Sequence, residues 1–124
     1  MGTTLRVEVF SADLTATADF YVRVLGFTVA RDERSADPPY LALLRDAVLI
    51  GAAGRPPVAD RAARRPPTGV ELVLEVDDLT TERARVAGAG WPVVDEVAPR
   101  PWGLRDFRLL DPDGYFLRVT ERAG

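Results

Sequence analysis

Leu5, Val7 and Val9 alternate with Arg6, Glu8 and Phe10. Period two marks a strand with one buried face. Ser11-Ala12-Asp13 closes it. Asp13 or Thr15 is placed to cap the next segment, because a side-chain oxygen there accepts from a free helix-start N–H. Leu14, Ala18, Tyr21, Val22 and Leu25 then recur at helical spacing, and Gly26 supplies the stop. Phe27-Thr28-Val29-Ala30 begins a second strand. Arg31 to Asp37, with Pro38-Pro39, reads as a solvated loop. Tyr40–Leu44 and Val48–Gly51 make a hairpin about Arg45-Asp46-Ala47.

Gly54 to Gly69 has no period and holds Pro56-Pro57 and Pro66-Pro67, so it reads as an exposed connector with a short helix possible in Val58–Arg65. Its Arg61, Arg64 and Arg65 form a small basic cluster expected at the surface. The pattern then restarts. Val70, Leu72, Leu74 and Val76 alternate with Glu71, Val73 and Glu75, Asp77-Asp78 closes the strand, and a helix is predicted from about Thr80 to Ala87. Trp91-Pro92-Val93-Val94 begins a further strand, and a closing hairpin spans Leu104 to Thr120 about Asp111-Pro112-Asp113-Gly114.

The two halves correspond. Asp13-Leu14-Thr15 matches Asp78-Leu79-Thr80, and Leu25-Gly26-Phe27 matches Ala89-Gly90-Trp91. Each half reads strand, helix, strand, strand, strand, the sign of a duplicated unit. The predicted fold is α+β: two paired βαβββ modules whose curved mixed sheets form a cup with helices outside. The boundaries are a single domain of 1–124, with module one at about 4–52, a connector at 53–68 and module two at 69–122.

Composition narrows the chemistry. With 124 residues and a net charge of −3, the chain has length for one core and no basic footprint for nucleic acid. No apolar run approaches the ~20 residues of a membrane helix. The first residues carry no signal-peptide pattern, so a cytoplasmic location is expected. There is no cysteine and no histidine. Disulfides, thiolate nucleophiles, serine–histidine triads and histidine metal sites are thereby excluded. Every basic side chain is arginine.

These residues resemble the vicinal oxygen chelate superfamily, often labelled glyoxalase/bleomycin-resistance/dioxygenase. Asp13-Leu14 through Phe20-Tyr21 and Leu25-Gly26-Phe27 look like its first-module pattern. Glu75-Val76-Asp77-Asp78-Leu79 looks like the second-module opening. Trp102-Gly103 with Arg105 and Phe107, then Asp111-Pro112-Asp113-Gly114, looks like the closing hairpin. The resemblance implies a homodimer with a small-molecule pocket at or near the interface. It also implies three metal-binding positions, which here carry Arg6, Glu71 and Arg118. A guanidinium keeps its proton and offers no lone pair, so no metal and no cofactor are expected. The likeness is nearest to the metal-free, antibiotic-binding branch.

The expected ligand-binding residues are Trp102, Phe107, Arg6, Glu8, Phe10, Tyr40, Glu71, Phe116 and Arg118; no residue is expected to be catalytic. Trp102, between Pro101 and Gly103, either stacks on a ligand, as the resemblance implies, or packs in a core or dimer interface. Trp91 is expected in the core. Arg6, Glu71 and Arg118 are expected to converge, as a strut or as an anion-binding feature. Pairing Leu110 with Tyr115 would put Phe107 and Leu109 on the face of Phe116 and Arg118. Glu8, Glu71 and Glu75 offer the one route to an oxygen-only metal site, or would attract a cation. The expected function is non-catalytic sequestration of an aromatic or cationic antibiotic-like molecule. The alternative is a lyase, isomerase or dioxygenase with an oxygen-only metal site or no metal.

Overall fold

The structure, a computed structural model, describes residues 2–122. It divides into two units, one ending at Ala59 and the other beginning at Asp60, a boundary inside the connector.

In the first unit, β1 (Arg6–Ser11) leads into α1 (Leu14–Asp19), and β2 (Thr28–Glu33), β3 (Tyr40–Arg45) and β4 (Val48–Gly54) follow. The strands lie in the order β1-β4-β3-β2, with β1 and β4 parallel and the other pairs antiparallel. Asp13 starts α1 by accepting from the backbone N–H groups of Thr15 and Ala16. The helix predicted over Leu14–Leu25 is not uniform. Its second half, Phe20–Val24, widens to a π-turn, closed by the Leu25 amide donating to the Phe20 carbonyl. There the Tyr21 ring meets Phe20 and Phe27 edge-on, at 4.9 and 5.6 Å between centroids. β2 also differs from expectation: it runs through Arg31 and Asp32 to Glu33, in the stretch read as loop.

The second unit repeats the plan with β5 (Leu72–Val76), α2 (Leu79–Gly88), β6 (Asp95–Pro99), β7 (Arg105–Leu110) and β8 (Phe116–Glu121). The order is β5-β8-β7-β6, again with a parallel pair, β5 with β8. Asp78 caps α2 by accepting from the Thr81 amide. Gly26 and Gly90 both adopt positive φ, +74° and +71°. Each sheet is irregular at the same place, at Val29/Arg31 in β2 and at Asp95/Ala98 in β6. Duplication in sequence is thus duplication in backbone detail. The strand expected to begin at Trp91 begins only at Asp95. Trp91 is half-buried, not fully in the core, and its indole N–H donates to the Leu110 carbonyl at 2.8 Å.

Each sheet buries one face under its helix. In the first unit Val9, Leu41, Leu43, Ile50 and Ala52 are buried, with Ala18 and Phe20 from the helical segment. In the second, Leu72, Leu74, Phe107, Leu109, Leu117 and Val119 are buried with Val86 of α2. Burial of this kind stabilises by roughly 1.5–3 kcal/mol per large apolar side chain. The connector is not a free tether. Its 3₁₀ turn, Arg61–Arg64, holds the β7–β8 turn: Arg61 donates to the Pro112 carbonyl and Arg64 to that of Asp113, both at 2.7 Å. The Arg64 guanidinium also lies 3.9 Å from the Tyr115 ring centroid. Two of the arginines expected as a surface cluster, Arg61 and Arg64, therefore brace the closing hairpin.

Candidate functional site

Strand parity places the polar candidates on the face of each sheet away from the helix. In the first unit this face carries Arg6, Glu8 and Phe10 of β1 and Tyr40 of β3. Val7 is half-buried and Val9 and Ser11 are buried on the other side. The Tyr40 hydroxyl donates to Glu8 Oε2 at 2.7 Å, and Arg6 Nε lies 3.0 Å from the same oxygen. The contact crosses over Gly51, which pairs with Glu8 on one side and Ala42 on the other. The pair closes because Gly51 has no side chain: an added Cβ would meet both the Glu8 carboxylate and the Tyr40 hydroxyl and push them aside. Burial, then the Glu8 carboxylate, holds the Tyr40 hydroxyl above its ordinary pKa. Phe10 is 47% exposed, with the Arg55 guanidinium 5.1 Å from its ring centroid.

In the second unit the β6–β7 hairpin presents Trp102 at its tip. The Gly103 amide donates to the Arg100 carbonyl and the Arg100 amide to the Leu104 carbonyl, at 3.0 and 2.9 Å. This closes the turn and leaves Trp102 54% exposed. Arg118 of β8 lies 5.5 Å from the indole centroid, within cation–π range. Its Nη2 pairs with Glu71 Oε1 at 3.1 Å. Two of the three residues expected to converge therefore meet as an ion pair beside the indole, while Arg6 pairs with Glu8. Phe116 shares the Arg118 face by parity and is buried.

Phe107 requires a correction. Leu110 pairs with Phe116, not with Tyr115, so Phe107 stands opposite Val119 and Leu109 opposite Leu117. Phe107 is fully buried on the α2 side, with Arg83 of α2 over its ring at 5.8 Å. It is a core residue and not a neighbour of Arg118. The slip of one residue exchanges the faces of β7. It brings Asp106 and Arg108 to the Arg118 face, where neither was expected. Asp106 is completely buried and pairs with Arg100 at 2.8 Å and Arg108 at 3.3 Å. A carboxylate between two guanidinium groups does exist here, then, but it is Asp106. The alternation Asp106, Arg108, Leu110 held that signal, given the right register.

These residues do not suit the divalent metal implied by the resemblance. Two of the three positions are guanidinium groups, and the third, Glu71, is taken up by one of them. Glu8 is engaged by Arg6 and Tyr40. Among the described residues no group of three Asp or Glu side chains is placed to hold an ion. What the second unit offers instead is an exposed indole with guanidinium donors, and the first, described by itself, a hydroxyl–carboxylate pair.

The model of the Glyoxalase/Bleomycin resistance protein/Dioxygenase superfamily matches residues 4–119. No curated protein matches the chain. Among solved structures, the chain is similar to TioX from Micromonospora sp. ML1, at TM-score 0.79 and 21% identity over 98% of this chain and 100% of that one. It is similar to the bleomycin resistance determinant encoded on transposon Tn5, at TM-score 0.79 and 23% identity over 99% and 100%. It is also similar to a bleomycin-binding protein complexed with bleomycin, at TM-score 0.75 and 24% identity over 98% and 100%. The duplicated βαβββ backbone and a family match across nearly the whole sequence agree: this chain belongs to the glyoxalase/bleomycin resistance/dioxygenase superfamily.

Proposed function

We propose that the protein binds and sequesters a planar, antibiotic-like small molecule without transforming it, and does so as a homodimer. The observation that carries the reading is Trp102. A large indole stands 54% exposed at a closed hairpin tip, its face open to a stacking partner. With Arg118 near the ring, a flat ligand stacked on the indole would gain roughly 0.5–1.5 kcal/mol beyond simple burial. The solved bleomycin-binding protein supports a binding role for this backbone. Of the three carboxylates that could serve as base or metal ligand, two are committed, Glu71 to Arg118 and Glu8 to Tyr40 and Arg6, which leaves the exposed Glu75 without a second carboxylate among the described residues to share an ion. The dimer rests on the family pattern alone.

Fluorescence titration tests the reading. In a Trp91→Phe background Trp102 is the sole indole. Bleomycin and a panel of planar aromatic compounds should quench it saturably, and Trp102→Ala should weaken binding at least tenfold, with the ligand recovered unchanged. Turnover of the ligand, or binding indifferent to Trp102→Ala, would sink the proposal.

A further inference from the structure

Asp106 stands where a carboxylate is costly. It lies on the Arg118 face of the second sheet, opposite Thr120, and its side chain is completely buried. A buried carboxylate destabilises unless it is matched, and Asp106 is matched twice. Its Oδ1 accepts from Arg100 Nε at 2.8 Å and from Arg108 Nε at 3.3 Å. Arg100 Nη2 and Asp106 Oδ2 have no partner among the described residues, and a small rotation joins them into the two parallel bonds of a guanidinium–carboxylate fork.

The two contacts act on different neighbours. Arg108 and Arg118 are direct cross-strand partners, an unfavourable position for like charges. Asp106 neutralises the first, as Glu71 neutralises the second at 3.1 Å. Arg100 follows β6 and Asp106 belongs to β7, so their bond straddles residues 101–105, the stretch that carries Trp102. Backbone bonds from Arg100 and Gly103 close that tip upon itself. Side chains tie it to the sheet from both faces. On the far face Arg105 pairs with Glu121 at 2.8 Å, with side chains 50% and 32% exposed. On the Arg118 face Arg100 pairs with Asp106, with side chains 19% and 0% exposed. Water and salt weaken the first pair far more than the second. The stronger tie is therefore the one on the side where the indole lies.

We propose that Asp106 is a positioning residue for the ligand site. Through Arg100 it holds the hairpin tip so that the Trp102 ring stands beside Arg118, 5.5 Å from its guanidinium, before a ligand arrives. The proposal rests on the stacking reading above and says how that surface is made ready. A ligand meets an indole already ordered, and binding loses less entropy. Asp106 itself, fully buried, touches no ligand.

Time-resolved fluorescence anisotropy tests the brace with no ligand present. In a Trp91→Phe background Trp102 is the sole indole. Its anisotropy should decay with the tumbling of the whole protein. Arg100→Met keeps an apolar stem and leaves Asp106 its bond to Arg108. In that variant a second, faster component should appear, the sign of local side-chain and loop motion. Affinity for a planar compound that quenches Trp102 should fall about fivefold, the loss expected when binding must order one more side chain. Arg100→Lys, which keeps the charge, should restore most of both. If Arg100→Met lowers the melting temperature and leaves the anisotropy decay unchanged, the pair is a strut alone and the proposal is overturned. A fast component already present in the Trp91→Phe parent overturns it too, and is read without any change at Arg100. If no planar compound quenches Trp102, the stacking reading falls by itself, and the anisotropy still decides whether Asp106 holds the indole.

Discussion

Gly51 and Gly114 show how single positions govern this molecule. In Gly51→Ala the new methyl would occupy the space of the Glu8 carboxylate and Tyr40 hydroxyl, so their 2.7 Å hydrogen bond must open. The displaced atoms are side-chain ends, so the cost is mainly that of the lost hydrogen bond, about 0.5–1.5 kcal/mol, measurable by urea denaturation. The Tyr40 hydroxyl should report it separately. Its pKa is raised above 10.0 by burial first and Glu8 second, so its contribution to stability is full below pH 10 and is lost as pH rises through the folded value. With Glu8 displaced, ultraviolet titration should find Tyr40 ionising closer to 10.0 than in the wild type. An unmoved titration would show that the carboxylate does not act on it. Gly114 is constrained twice, by φ of +86° and by the Arg61 carbonyl, 2.8 Å from where a Cβ would stand. Gly90 has φ of +71° and open space around it. Gly90→Ala should therefore cost about 1 kcal/mol, from backbone conformation alone, and Gly114→Ala distinctly more. Equal costs would mean that the connector does not press on the turn.

Among the elements, α2 is tied to β6 by a forked ion pair. Arg83 Nε and Nη2 donate to the two Glu96 oxygens at 2.6 and 2.8 Å. This holds the Glu96 carboxyl down to about 2, from 4.5, chiefly through the Arg83 hydrogen bonds. A depressed carboxylate stabilises the fold above its unfolded pKa, and that contribution is lost as pH falls from about 4.5 toward 2. In Glu96→Gln the melting temperature should be lower at neutral and alkaline pH with its slope there unchanged, and its acid-side decline should be shallower across this window. Identical acid limbs would show that the pair adds nothing, a common result for exposed ion pairs. The elements were also where sequence patterns were most and least legible. The alternation in β1 and β5 could be read directly, and Asp13 as one of two candidate caps for α1; Asp78, which reads as closing its strand, is the cap of α2. The π-turn at Phe20–Val24 could not, because the aromatic packing around Tyr21 fixes it. The tail of β2 could not either: its charged Arg31-Asp32-Glu33 is held as strand by pairing with β3.

For the molecule as a whole, the replacement of the family's metal positions predicts indifference to metals. Chelation with EDTA, or addition of Mg²⁺, Mn²⁺ or Zn²⁺, should leave the melting temperature unchanged, because Glu71 is held by Arg118 at 3.1 Å. A metal-dependent rise would mean that the ion pair opens to admit an ion, since any ligand of the native state stabilises it by mass action.

The sequence by itself determined the duplication, the fold class and the arginines at Arg6 and Arg118, because these depend on residue identity and local period. What only the tertiary structure decided was which residues share a face in the closing hairpin. Asp111 sets this: its carboxylate accepts from the Asp113 and Tyr115 amides, both at 2.9 Å, and its own amide donates to the Tyr115 carbonyl at 3.0 Å. That closes the turn over Asp111–Tyr115 and makes Leu110 and Phe116 the first strand pair beyond it. Side chains alternate with period two, so a register one residue from the expected one exchanges every face. Phe107 went to the core, and Asp106 and Arg108 came to stand with Arg118. The indole at Trp102 and the charge of Arg118 could be named from the chain; that Asp106 and Arg108 of β7 share the Arg118 face could not, because register decides it.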